Sequence, residues 1–126
     1  MNNFEALFAE YPCVLTDELV KAAASDILTN HFEENNNVEV WKQCLHSIDL
    51  TTLNGDDTTE KVETMAQRVN EFEDHFPNVP NVAAMCVYPA LVQTASDTLT
   101  EPIGIAAVAA GFPASQTFIE IKVAEA

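Results

Sequence analysis

Few of the 126 residues carry side chains suited to chemistry, and they are scattered. Asp49 stands out because it lies between Ile48 and Leu50, and an acid inside an apolar strand is costly to bury unless paired or hydrogen-bonded. Two readings stay open for it: an acid lining the ligand crevice of a parallel sheet, or a partly exposed acid holding the Thr51-Thr52 turn. Cys86 ends an apolar run just before Tyr88-Pro89. A nucleophilic thiol needs a base or a helix N-terminus to lower its pKa, and His31, His46 and His75 are all distant in sequence. On its residues alone Cys86 reads as a buried inert thiol. The four lysines, Lys21, Lys42, Lys61 and Lys122, all fall within helical patterns and read as facing solvent. None has the desolvated strand-end setting that would give a neutral, Schiff-base-forming amine. The acid pairs Glu33-Glu34 and Asp56-Asp57 match no calcium loop, and His31 and His75 share a helix face with no second histidine, so no metal is assigned. There is no GxGxxG and no GxxxxGK[ST], and no cofactor is expected.

The elements that must position these residues follow from hydrophobic spacing. Residues 1–46 read as a helical extension. Phe4, Leu7 and Phe8 suit a short helix, and Thr16 caps a longer one, with acids in its first turn and Leu15 placed to staple onto Val20. Leu19, Val20, Ala23, Ala24, Ile27 and Leu28 form a stripe wide enough to face a core. Glu33 to Asn37 ends that helix, and Val38, Trp41 and Leu45 begin the next. From residue 47 the texture changes. Ile48-Asp49-Leu50 is a short strand, Asn54 to Asp57 a turn, and Asp57 with Glu60 a capping box opening a helix through Val62, Met65, Ala66 and Val69. Phe76 to Pro80 breaks that helix. Val82 to Val87 reads as a strand buried on both faces, and Pro89 opens a helix carrying Leu91, Val92, Ala95 and Leu99. Ile103 to Val108 is a third buried strand, Gly111-Phe112-Pro113 a loop, and Phe118, Ile119 and Val123 lie on a last helix. The order β-α-β-α-β-α implies right-handed crossovers and a parallel sheet.

Composition narrows the partners. Twenty acids against five bases give a formal charge of −15, which repels phosphate backbones and anionic lipid, so neither nucleic acid nor a membrane surface is expected. No run approaches a spanning helix, and the N-terminus lacks the cationic stretch of a signal peptide. Cys13, Cys44 and Cys86 are odd in number and widely spaced, which fits a reducing, cytoplasmic setting without disulfides. The last helix meets Ala126 with no stop signal, so the chain reads as cut rather than finished.

Three segments then resemble one family. Ile48-Asp49-Leu50-Thr51-Thr52-Leu53-Asn54 with Asp56-Asp57-Thr58 and Glu60-Lys61-Val62 resembles the first strand and helix of deoxyribose-phosphate aldolase. Asn81 to Pro89 is similar to its second strand, and Ile105 to Val108 with Gly111-Phe112-Pro113 to its third. The resemblance implies an α/β fold: the first three β/α units of a (β/α)₈ TIM barrel over residues 47–126. It implies lyase chemistry, the reversible cleavage of 2-deoxy-D-ribose 5-phosphate to acetaldehyde and D-glyceraldehyde 3-phosphate through a lysine Schiff base. It also implies substrate-side roles for Asp49, Thr51, Leu53, Cys86 and Phe112. The family's Schiff-base lysine, second lysine and relay acid belong to later strands, so no catalytic residue is expected in this chain and the isolated 126 residues are expected to be inactive. Ala114-Ser115 stands where the family usually has a glycine close behind the proline.

Two functions follow as expectations. One is the N-terminal part of an aldolase acting on a sugar phosphate. The other is a stand-alone acidic half-barrel serving as an interaction or scaffold protein. In either case the open edges of a three-stranded parallel sheet favour a homo-oligomer that covers them.

Overall fold

A computed structural model describes residues 3–12 and 14–126; Cys13, one of the three cysteines weighed above, lies outside them. The chain divides into two compact units, residues 1–37 and 38–126. No helix among the described residues is long and apolar enough to cross a membrane.

The first unit holds α1 (Asn3–Glu10) and α2 (Asp17–Asn35). Thr16 caps α2 as its sequence indicates, its hydroxyl accepting from the Leu19 N–H at 3.3 Å. The expectation that the α2 stripe faces a core is not met: α2 buries no residue, and Leu19, Val20, Ile27 and Leu28 are exposed. Two helices in 37 residues supply no third surface against which to close.

The second unit runs α3 (Val38–His46), β1 (Asp49–Thr51), α4 (Thr59–Asn70), α5 (Phe72–His75), β2 (Ala84–Val87), a 3₁₀ turn (Pro89–Leu91), α6 (Val92–Thr98), β3 (Gly104–Ala107) and α7 (Ile119–Glu125). The strands form one parallel sheet in the order β1-β2-β3, as the alternation of elements requires. Leu50 pairs with Met85, and Met85 with Ile105, so these side chains share the face that bears the helices. Met85 and Val87 are fully buried there against Val62 and Ala66 of α4 and Ala95 of α6, with Met65, Leu91, Val92, Leu99 and Ile103 closing the margin.

The other face is where expectation and structure part. Val82 to Val87 reads as a strand buried on both sides, yet Ala84 and Cys86 are only half-buried. The third strand is more open still: in β3 only Ala106 is half-buried and the rest is exposed. An apolar run records which residues tolerate burial; it takes a layer on each side to bury them, and helices cover one side here.

Two asparagines join the layers. Asn81 donates to the Val69 carbonyl at 2.8 Å, accepts from the Val82 N–H at 2.9 Å, and its own carbonyl accepts from His46 Nδ1 at 2.9 Å. Asn70 donates to the Thr98 carbonyl and accepts from the Thr100 N–H, both at 2.9 Å, tying the end of α4 to the end of α6.

Urea unfolding checks this account. Met85→Ala is expected to cost about 2–5 kcal/mol through lost burial and a residual cavity, while Ile105→Ala, on the same face but partly exposed, costs less. Asn81→Ala is expected to cost about 1–3 kcal/mol, because the Val69 carbonyl and the Val82 N–H lose a partner in a buried place.

Candidate functional site

Alternation along the strands sends Asp49, Thr51, Ala84, Cys86, Gly104 and Ala106 to the face that carries no helices. Thr51, Cys86 and Ala106 form one register row at the C-terminal ends of the strands. Asp49 stands one row back beside Ala84, about 6.6 Å along the strand from Thr51. Both Asp49 and Thr51 are exposed, so the burial cost that singled out Asp49 in the sequence is not incurred. Cys86 is half-buried rather than enclosed, which corrects the reading of a buried thiol. Gly104 keeps this face tight: a Cβ there would come within 3.3 Å of the Ala84 Cβ.

Leu53 follows β1, and its carbonyl accepts from the Tyr88 hydroxyl at 3.1 Å, while the Thr52 N–H donates to the Cys86 carbonyl at 3.0 Å. These two bonds hold the strand-to-helix loop after β1 against the end of β2. Tyr88 was missed as a positioning group, although it lies two residues after Cys86 and shares its parity. Phe112 lies in the loop after β3 and is exposed. That loop turns through Ala110, Gly111 and Ser115 at φ of 60°, 73° and 53°, and the Glu125 carboxylate accepts from the Gly111 N–H at 2.7 Å. Ser115, the second of the two residues behind Pro113, adopts the left-handed conformation, with its N–H donating to the Gly111 carbonyl at 2.7 Å. The structure thus gathers Asp49, Thr51 and Cys86 on one face, with Leu53 at its rim.

All four lysines lie on helices, none on a strand. Lys21 and Lys61 are exposed, whereas Lys42 and Lys122 are half-buried, a correction to the view that all four simply face solvent. The open face therefore offers carboxylate, hydroxyl and thiol groups suited to hydrogen-bonding a polyol. Among the described residues no three His, Cys, Asp or Glu side chains gather as metal ligands would.

The loop after β1 is locked by a residue assigned another role. Asp57 was expected to cap α4, but the cap is Thr58, whose hydroxyl accepts from the Lys61 N–H at 3.2 Å. Asp57 turns inward instead, its side chain 1% exposed. It accepts from the Thr52 hydroxyl at 2.8 Å, the Asn54 N–H at 3.0 Å and Lys61 Nζ at 2.5 Å. The Lys61 ammonium chiefly, with the Thr52 hydroxyl and the Asn54 N–H, holds its carboxyl down to about 2 against the opposing effect of burial. A carboxyl lowered from 3.8 stabilises the fold above that value, and its contribution fades as pH falls towards 2. Thermal melts across this acid range are expected to show that loss. Asp57→Asn is expected to lower the melting temperature near neutral pH and to flatten the acid dependence.

No family model matches the chain. Curated relatives do. A Caenorhabditis elegans protein whose name carries the deoxyribose-phosphate aldolase description is 35% identical over 92 residues, covering 71% of this chain and 30% of its own. The Homo sapiens deoxyribose-phosphate aldolase is 37% identical over 90 residues, covering 62% of this chain and 28% of its own. The chain thus spans under a third of the length of the curated relatives it matches. A parallel β/α arrangement that follows the resembling motifs in order, together with 35–37% identity to these named relatives over 62–71% of the chain, supports the deoxyribose-phosphate aldolase family.

Proposed function

We propose that residues 47–126 form the first three β/α units of an aldolase-type (β/α)₈ barrel, with residues 1–46 a helical extension. In this reading the uncovered face of the sheet is the inside of the barrel, and the C-terminal ends of the strands border the substrate. The complete protein would reversibly cleave 2-deoxy-D-ribose 5-phosphate to acetaldehyde and glyceraldehyde 3-phosphate through a lysine Schiff base, in the cytoplasm. The observation that carries the reading is the polar lining of that face, with Asp49, Thr51 and Cys86 brought together by strand register. Asp49 and Thr51 would hold substrate hydroxyls, Leu53 and Phe112 would bound the pocket, and Cys86 would line it without attacking.

This chain supplies no amine at the face, because its lysines sit on helices and Lys61 is committed to Asp57. Iminium formation and proton relay act as a unit, so the absence of the amine leaves no partial activity to measure. Borohydride trapping with deoxyribose 5-phosphate, followed by intact mass, is expected to yield no adduct on the 126-residue chain; a stoichiometric adduct on one lysine would overturn the assignment.

A chimera tests the positive half. Residues 47–126 replace the aligned segment of the human relative, and folding is checked by circular dichroism. The chimera is expected to cleave deoxyribose 5-phosphate, and Asp49→Asn within it to lower kcat/KM by about 10²-fold. A folded, inactive chimera would sink the reading.

A further inference from the structure

Asn54-Gly55 is the one Asn-Gly pair in the chain, and it lies in the loop that Asp57 holds. Both residues are exposed, and the space around Gly55 is open: a Cβ placed there meets no atom within 4 Å. The turn they enter is closed by the Asp57 N–H donating to the Asn54 carbonyl at 3.2 Å. Gly55 does not adopt a positive φ in it, so the fold itself does not require a glycine there. We propose that Asn54 is a self-modification site, at which the Gly55 backbone nitrogen displaces the side-chain amide, and that this change releases the loop after β1.

The reaction is intramolecular and consumes one water. The Gly55 amide gives up its proton, and its nitrogen bonds to Asn54 Cγ. The Cγ–Nδ2 bond breaks, ammonia leaves, and a cyclic succinimide remains. Water then opens the ring on one side or the other. Cleavage of the new N–Cγ bond leaves an aspartate in the ordinary chain. Cleavage of the original peptide bond leaves an isoaspartate, with the backbone rerouted through the side chain. A side chain on the following residue crowds the attacking nitrogen, and Gly55 has none.

The loop leaves the reacting amide loosely held. Asn54 Nδ2 donates to Thr52 Oγ1 at 3.3 Å and to Asp57 Oδ1 at 3.5 Å, both long for hydrogen bonds. The shorter bond runs from the Asn54 backbone N–H to Asp57 at 3.0 Å, so the side chain is free to turn towards Gly55. Either product then acts on the bonds around Asp57. Aspartate replaces a donor with a second negative charge beside a carboxylate that is itself only 1% exposed. Isoaspartate adds a methylene to the main chain, and the Asn54 N–H and carbonyl that both bond Asp57 lose their turn spacing. Leu53, tied to Tyr88 by its carbonyl, is the neighbour that shifts.

Prolonged incubation of the folded 126-residue chain in mildly alkaline buffer, followed by intact mass and peptide mapping, tests this. The expected result is one ammonia lost and one water gained per chain, a rise of one mass unit, mapped to Asn54 with isoaspartate among the products. Gly55→Ala places its Cβ in open space, so circular dichroism should be unchanged while conversion slows severalfold. The converted protein is expected to melt about 4 °C or more below the fresh one, and Asn54→Asp to melt lower in the same direction. Conversion seen only in the urea-unfolded chain would overturn the proposal, because the folded loop then shields the amide. So would conversion at another asparagine with Asn54 intact, a Gly55→Ala chain that converts equally fast, or a converted protein with an unchanged melting temperature.

Discussion

Every interstrand bond of the sheet involves β2, which pairs with β1 on one side and β3 on the other. Its fully buried Met85 and Val87 are also the side chains against which α4 and α6 close. One four-residue strand therefore sets the register of both neighbours and anchors the helical layer. Burial is one-sided because these helices lie on one face only. Apolar burial supplies the favourable free energy on that face, and the opposite face is released from packing and free to carry polar groups.

That division explains how Asp49, Thr51 and Cys86 come together without cost. They occupy alternate positions on paired strands, so the register that turns Leu50 and Met85 towards the helices brings them to the other side. The loop beyond them is held by polar bonds instead. Asp57, Lys61, Thr52 and Asn54 form one knot at the start of α4, and Tyr88 ties Leu53 to the end of β2. A chain this acidic holds the loop with a carboxylate by placing one of its few cations four residues away on the helix.

Burial declines along the unit. The first β/α unit has a helix with three buried residues, the second a helix with one, and the third a helix with none. Ile105 of β3 and Ile119, Ile121 and Val123 of α7 are exposed, at the side where a parallel α/β sheet continues when further strands are present.

Much of this was legible in the residues. Thr16 as a cap, Pro89 at the head of a turn, and the alternation of strands with helices all rest on local stereochemistry, which a sequence states directly. The parity that groups Asp49 with Thr51 is likewise a property of any strand. Where two neighbouring residues offered the same local service, the sequence was silent on the choice: Asp57 and Thr58 can each cap a helix, and only Lys61 and Thr52, brought close by folding, drew Asp57 inward. Burial was the larger gap. The apolar runs at Val82 to Val87 and Ile103 to Val108 read as enclosed, as did the stripe on α2, yet each is partly or wholly open. Hydrophobic spacing belongs to one segment, whereas burial requires a second surface from elsewhere in space. The sequence by itself determined the elements, their order and their sidedness; which sides were covered was decided only when the helices had packed.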